Sequence, residues 1–270
     1  VAERGGTECV DLSTKGVIVG EVAVRPGEVV LVGGGPGDPD LLTVGGLKAL
    51  READVVLYDH LAPVACLSET RPGATLIDVG KRPRGAQTAQ HDIDAQLIRY
   101  AREGARVVRF KGGDPFVLGR GGEEWQACAA AGVPVRVIPG VSSAVAGPAL
   151  AGIPLTHRGV TQSFTVVSGH VGPDHPGSTV DWDAVAALGG TVVVLMGLTN
   201  LAAICARLVR GGMPPETLAA TVADAATDHM RIVRGTVETL PGAVSAAGLQ
   251  SPAITVIGAV VGLELAGAGS

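Results

Sequence analysis

The chain has 270 residues, of which 46% are hydrophobic and 17% charged, a balance that excludes wholesale disorder and is long enough to bury a core without disulfide or metal staples. A net charge of −5 and an aromatic share of 3% exclude a bulk attraction to nucleic acid and a base-stacking platform. The most apolar stretch, 133–155, carries Arg136 and is cut by Pro134, Pro139, Pro148 and Pro154, so no membrane-spanning helix is expected.

Residues 1–27 read as an extension, strand-like only over 16–24. A regular alternation then begins. Residues 29–32 form a short apolar run ending in Gly33 and predict a buried strand. Residues 43–52 have helical spacing, with Leu47, Leu50 and Ala53 on one face. Strands are expected at 54–58 and 75–79, and an amphipathic helix at 89–102 through Ile93, Leu97, Ile98 and Ala101. A strand at 106–110, a helix at 123–131 and a strand at 135–138 complete this block. Alternating strands and helices at this spacing mean a mostly parallel sheet. After the proline-rich stretch, strands are expected at 164–168, 191–196, 218–223, 231–234 and 253–258, with helices between them, notably at 200–210. The fold class is α/β, with a domain over 28–145 and a second over 146–264.

The four cysteines, Cys9, Cys66, Cys128 and Cys205, form no CxxC pair and no zinc spacing, which predicts free thiols in a reducing cytoplasm and no metal. No signal-peptide pattern opens the chain.

Five loops at strand ends carry the chemistry. The first, GGGPGDPD over 33–40, lacks the GxGxxG spacing of a dinucleotide site, and Pro36 removes a backbone N–H that a pyrophosphate would use. The second begins at Asp59, a residue type that at a strand end either caps a turn or acts as a base. The third, VGKRPRG over 79–85, holds Lys81, Arg82 and Arg84. Lys81 is one of four lysines in a chain with 17 arginines. The fourth runs from Arg109 through Gly112, Gly113, Asp114 and Val117 to Arg120, then onto a helix with Glu123 and Glu124 in its first turn, where the helix dipole favours acids. The fifth, over 139–158, offers Ser142 and Ser143 at a helix start and ends in His157 and Arg158. Gly- and hydroxyl-rich loops on one sheet edge, with Arg interleaved, predict a cleft for a small polar ligand and an acidic partner.

The segments VGGGPGDPDLLT, ADVVLYDHL, VGKRPRG, VVRFKGGDPFVLGRGGEE, PGVSSAVAGPALAGIPLTHRGVTQS, VSGH and VVLMGL resemble, in order, the tetrapyrrole methylase family over about 29–262. The GGDPFVLGRGGEE and GIPLTHR runs are most similar to the members that methylate uroporphyrinogen III. The resemblance implies two α/β domains with S-adenosylmethionine in the cleft between them, released as S-adenosylhomocysteine, and a homodimer without metal. It implies methyl transfer to C2 and C7 of uroporphyrinogen III, giving precorrin-2 for sirohaem and cobalamin. Carried over by motif, cofactor contacts fall on Pro36, Gly112, Gly113, Asp114, Val117, Ser142, Ser143 and Met196, and on Ala225 where the family has Gly. The proton acceptor and donor map to Asp59 and Lys81. Eight substrate carboxylates suit Arg82, Arg84, Arg109, Arg120, His157 and Arg158. Two further departures are Leu118 for Phe and Asp94 for Asn. The rivals are a methylase of a cobalamin-pathway precorrin and an NAD-dependent oxidoreductase, since Asp59 lies near ribose-binding distance from Gly33. A catalytically idle tetrapyrrole-binding module would not need both Asp59 and Lys81.

Overall fold

The computed structural model describes residues 23–80 and 89–265. Among them, ten strands form two five-stranded sheets. The first contains β1 (Val29–Gly33), β2 (Val55–Tyr58), β3 (Thr75–Asp78), β4 (Val107–Lys111) and β5 (Val135–Ile138). Their order is β3-β2-β4-β1-β5, and every pair is parallel. The central strand β1 reads VVLVG and is buried throughout. A parallel strand covered on both faces needs this continuous apolar run rather than an alternation.

Val30 and Val32 pack with Ala49 and Leu50 of α1 (Val44–Glu52). Val29 and Leu31 pack on the other face with Ile93 and Leu97 of α2 (Gln90–Arg102) and Cys128 of α3 (Gly121–Ala130). Leu50 and Leu97 are wholly buried, and such a side chain contributes roughly 1.5–3 kcal/mol. Because all five strands run the same way, the five loops singled out above leave from one edge.

The second sheet contains β6 (Phe164–Ser168), β7 (Thr191–Leu195), β8 (Leu218–Ala223), β9 (Arg231–Thr236) and β10 (Ala253–Ile257), in the order β6-β7-β10-β8-β9. Only β6 and β7 are parallel; the remaining three pairs are antiparallel. The connection from β8 to β9 is too short for a crossover helix, which dictates the antiparallel pairing. Both β7 and β8 run opposite to β10 between them, so Met196 and Asp224 leave from the same edge. Helices α5 (Trp182–Ala187), α6 (Leu201–Arg210) and α7 (Leu240–Ala246) cover one face, with Val192, Val194, Ala219 and Ile257.

The other face receives α4 (Ser143–Leu150), whose Ala144 packs with Val193, Leu195, Val222 and Ile254. A Cβ on Gly147 would lie 2.5 Å from Ile254 Cδ1, so α4 rides close on β10. Helix α4 therefore starts in the last loop of the first sheet and packs on the second.

The expected α/β class holds, and the strands fall within about two residues of their expected ends. Helix α3 starts at Gly121 rather than at 123, since Arg120 takes a left-handed N-cap at φ 60°. Helices α5 and α7 are too short to give a periodic signal, and the body of α4 is masked by its Gly and Pro. Most of the strand expected at 16–24 lies outside the described residues; Val24 is buried but not in a strand. Cys66, Cys128 and Cys205 are free and buried. Burial pushes the thiols of Cys128 and Cys205 up to about 11. Among the described residues no helix is long and apolar enough to cross a membrane, and no cluster of His, Cys, Asp and Glu could hold a metal ion.

Candidate active site

Three of the glycine loops meet backbone to backbone. Gly113 N–H donates to Gly35 O at 2.6 Å, and Gly35 N–H donates to Gly113 O at 3.2 Å. A Cβ on Gly33 would lie 2.4 Å from Gly140 N, and one on Gly140 would lie 2.3 Å from Gly113 O. The glycines are there because the loops after β1, β4 and β5 touch at distances that exclude any side chain. Asp114 locks the junction: its Oδ1 accepts from Phe116 N at 2.8 Å and its Oδ2 from Gly140 N at 3.1 Å. Helix α4 begins beside them, with Ser142 Oγ capping Ala144 N at 3.2 Å. Thus Pro36, Gly112, Gly113, Asp114, Ser142 and Ser143 are brought to one place.

Asp59 joins the same junction. Its Oδ1 accepts from Leu61 N, Ala62 N and, across the sheet, Gly112 N at 3.2 Å. Its Oδ2 faces Arg109 Nη2 at 3.4 Å, and the side chain is 26% exposed. Asp59 both caps a turn and presents a carboxylate oxygen at the mouth of the loops.

Arg109, expected among the carboxylate-binding arginines, points inward and is only 4% exposed. Leu57 and Arg109 are paired in register, and Arg109, Lys111 and Asp59 all continue the face that α2 and α3 cover. There Glu124 of α3, with no exposed surface, accepts from Arg109 Nε at 2.9 Å and from Lys111 Nζ at 2.9 and 3.0 Å. Gln90 Nε2 reaches Asp94 Oδ1 at 2.9 Å and Glu124 Oε1 at 3.4 Å. Burial, and then the neighbouring Arg109, pull the Lys111 pKa below the ordinary lysine value, with Glu124 opposing. Burial raises the Asp94 carboxyl, and the charge of Glu124 adds to it.

The second sheet contributes from its own edge. A Cβ on Gly37 would meet Ala226 O at 3.2 Å, Thr227 Cγ2 at 3.3 Å and Ala225 O at 3.4 Å, so the first loop lies against the turn after β8. The Ala225 methyl is buried with Ala144, Val193, Leu195, Val222 and Ile254, and its carbonyl faces Gly37. Met196, 47% exposed, holds φ 57°, and Asp224 and Ala226 also have left-handed backbones.

Val117 is exposed on the fourth loop. Arg120 is exposed and forks onto Glu123, with contacts of 2.9 and 2.7 Å. His157 and Arg158 form an exposed turn in which His157 Nδ1 donates to Arg158 O at 2.8 Å. Lys81, Arg82 and Arg84 lie outside the described residues.

The sequence profile of the tetrapyrrole (corrin/porphyrin) methylases matches residues 28–241. The chain belongs to the tetrapyrrole methylase family. It is 47% identical over 237 residues to a siroheme synthase of Gluconacetobacter diazotrophicus, covering 87% of this chain and 50% of that protein. The chain thus spans about half the length of the siroheme synthases it matches. It is 42% identical over 250 residues to a uroporphyrinogen-III C-methyltransferase of Sinorhizobium sp, covering 93% of this chain and 89% of that one. A uroporphyrin-III C-methyl transferase of Thermus thermophilus, solved in complex with S-adenyl homocysteine, superposes with a TM-score of 0.73 at 40% identity. That alignment covers 87% of this chain and 98% of the other.

The inward set, Lys111 and Glu124, was not singled out by spacing. The signal was present in β4, where VVRFK places Arg109 and Lys111 on the face of Val107. Two charges on a buried face require a buried counter-charge from the covering helix.

Proposed function

We propose that this chain is an S-adenosylmethionine-dependent methyltransferase that acts on C2 and C7 of uroporphyrinogen III to give precorrin-2, as a cytoplasmic homodimer without metal. The observation that carries this reading is the meeting of the GGGPGDPD, GGDP and PGVSS loops around the Asp59 carboxylate. The likeness to the Thermus thermophilus protein with its S-adenyl homocysteine supports it.

The residues fit that cofactor. A Cβ on Gly113, at φ 64°, would lie 3.7 Å from Ser143 N and 3.9 Å from Ser142 Cα, so the GGDP loop is in contact with the first residues of α4. Pro36 leaves the first loop without an N–H that a pyrophosphate would use, as suits a ligand with no phosphate. Met196 and Ala226 keep left-handed backbones, each at a cost of about 1–3 kcal/mol, a strain found where a ligand is gripped. Pro36, Gly112–Asp114, Val117, Ser142, Ser143, Met196 and Ala225 would hold it. When bound, S-adenosylmethionine supplies a methyl group on an electrophilic sulfonium.

The chain's own work is positioning and proton handling. A pyrrole carbon is already nucleophilic, so alignment supplies most of the acceleration. Adding a methyl cation to a neutral ring leaves one proton in excess at each transfer. Asp59 accepts it through Oδ2, while the Gly112, Leu61 and Ala62 N–H groups hold Oδ1. Where the ring shifts its double bonds, Lys81 donates a proton at one position as a second leaves another, so that the net loss stays at one proton per transfer. Arg82, Arg84, Arg120, His157 and Arg158 bind substrate carboxylates; Arg109, being buried, is left out.

The test is precorrin-2 formation from uroporphyrinogen III by purified protein. Asp59→Asn and Lys81→Met are expected to slow it by ~10²–10⁴ while leaving S-adenosylhomocysteine binding within a fewfold. Little rescue by Lys81→Arg is expected, since Arg keeps its proton at any working pH. Parental turnover in both variants, or tight NAD binding with none for S-adenosylhomocysteine, overturns the reading.

A further inference from the structure

We infer that Glu124 is a positioning residue for methyl transfer, acting through Arg109 on the carboxylate of Asp59. This rests on the reading of Asp59 given above. Glu124 has no exposed surface, so it touches neither substrate nor cofactor. Its carboxylate instead fixes the two cations at the end of β4. The Arg109 guanidinium spans the gap: Nε is held by Glu124 at 2.9 Å, Nη1 by the carbonyls of Phe110 at 3.1 Å and Leu57 at 3.4 Å, and Nη2 points at Asp59 Oδ2, also 3.4 Å away. Every arm of the fork is thus tied, and the arm that faces Asp59 is set by the others.

The charges balance. Arg109 and Lys111 carry two positive charges; Glu124 and Asp59 carry two negative ones. Asp94 and Gln90 of α2 and, at the start of α3, Glu123 and Arg120 also lie near this set, and His60 follows Asp59 in the chain. His60 and Asp78 pair with each other at 3.7 Å, and Gln90 bridges Asp94 to Glu124. Without Glu124, Asp59 is the carboxylate left on the Arg109 fork. The Arg109 fork and the Lys111 ammonium are then drawn toward it. Asp59 Oδ1 stays anchored by the Gly112, Leu61 and Ala62 N–H groups, so the carboxylate turns about that anchor and Oδ2 is displaced while the glycine junction keeps its place. A buried, fully tied fork transmits such a shift because it has no slack.

Glu124→Gln keeps the shape and one acceptor oxygen but removes the charge. It is expected to lower kcat about tenfold or more, the scale of a sub-ångström misplacement, with KM for uroporphyrinogen III and the Kd for S-adenosylhomocysteine each within about threefold. A general loss of packing would move all three. The deciding measurement is a double-mutant cycle with Asp59→Asn. If Glu124 acts through Asp59, adding Glu124→Gln to Asp59→Asn lowers kcat by less than about twofold more. Independent, multiplicative losses overturn the inference, as does parental kcat in Glu124→Gln. Should Glu124→Gln fail to fold, Arg109→Lys enters the same cycle. It keeps the charge but cannot reach Glu124 and Asp59 together, and the same non-additivity is expected. Parental kcat in Asp59→Asn alone fells the reading of Asp59 and this inference together. A slow Asp59→Asn with a parental or multiplicative Glu124→Gln fells this inference alone.

Discussion

Replacing Gly140 with alanine puts a methyl group into the tightest contact of the site. Its Cβ would lie 2.3 Å from Gly113 O and 2.6 Å from Gly33 C and Cα. All three are backbone atoms at strand ends, with no side chain to swing aside. Gly140 is not in the left-handed region, so the substitution tests crowding alone. Ordinary contact requires the loops to part by about 1 Å, and overpacking of this kind costs ~1–3 kcal/mol. For a chain of this size that is a fall in Tm of roughly 2–6 °C. The larger effect is on function, because the Asp114 bond to Gly140 N at 3.1 Å and the Gly35–Gly113 pair both cross the contact. An opening near 1 Å is expected to weaken S-adenosylhomocysteine binding by about 10–100-fold. Calorimetric titration and thermal melting measure the two effects. Gly242→Ala in α7 is the control, since its Cβ would meet nothing within 4 Å; it is expected to melt at or slightly above the parent. Parental affinity with a Tm within about 1 °C in Gly140→Ala would refute the reasoning that the three loops form one rigid seat.

Three further outcomes are expected. Ala225→Gly removes a buried methyl from the α4 interface, so it should cost about 0.5–1 kcal/mol in a denaturant melt and change S-adenosylhomocysteine affinity by less than about tenfold, a ~1.4 kcal/mol effect. Met196→Gly relieves a left-handed backbone at a half-exposed position and should hold or raise Tm while weakening the same ligand, as expected where strain serves binding. Asp54 accepts from the Arg106 guanidinium at 3.0 Å and its backbone N–H at 2.8 Å, and Arg71 adds a second pair. These hold its carboxyl at about 2 rather than 3.8. Its folded value is depressed, so the stabilisation is complete above about pH 4 and is lost as pH falls through about 2. The shift is worth roughly 2.4 kcal/mol unscreened, and solvent screening reduces this to about 1 kcal/mol. The parent's advantage over Asp54→Asn in urea melts should shrink over that window.

The first sheet was legible because a parallel strand covered on both faces must be apolar throughout, and VVLVG, VVLY and VVRFK answer to that. The glycine loops were legible because they break the helix–strand alternation with residues that have no other reason to cluster. Strand direction in the second sheet was not, since apolar runs carry no sense of direction and only the lengths of the connections encode it. Helix α4 was obscured by Gly147 and Pro148, which lower local helix preference while tertiary packing on Ile254 overrides it. Among site residues, Asp59 and Asp114 stood out as acids beside glycine or turn signals. Arg109 did not reveal its inward turn, because reading a charge as surface is right until a buried partner is known. Lys111 and Glu124 were hidden for the same reason, each looking like a solvated charge until its neighbour is in place.

The order of strands in the first sheet also bears on how the chain is made. β1 precedes the other strands of this sheet in the chain, yet its two neighbours are β4 and β5: Val29 pairs with Val107 and with Val135. On a ribosome, one hydrogen-bonding edge of this apolar strand waits for Val107, 78 residues further on, and the other for Val135, 106 residues further on. Such waiting edges are the segments that stick to other nascent chains. The β8–β9 pair, by contrast, closes over a short turn as soon as it appears. Completion of the first sheet is thus expected to limit the yield of soluble protein, and slower translation through 107–138 should lower it. Substitutions that polarise β1 transiently, without reaching the site, are where expression and activity should part company.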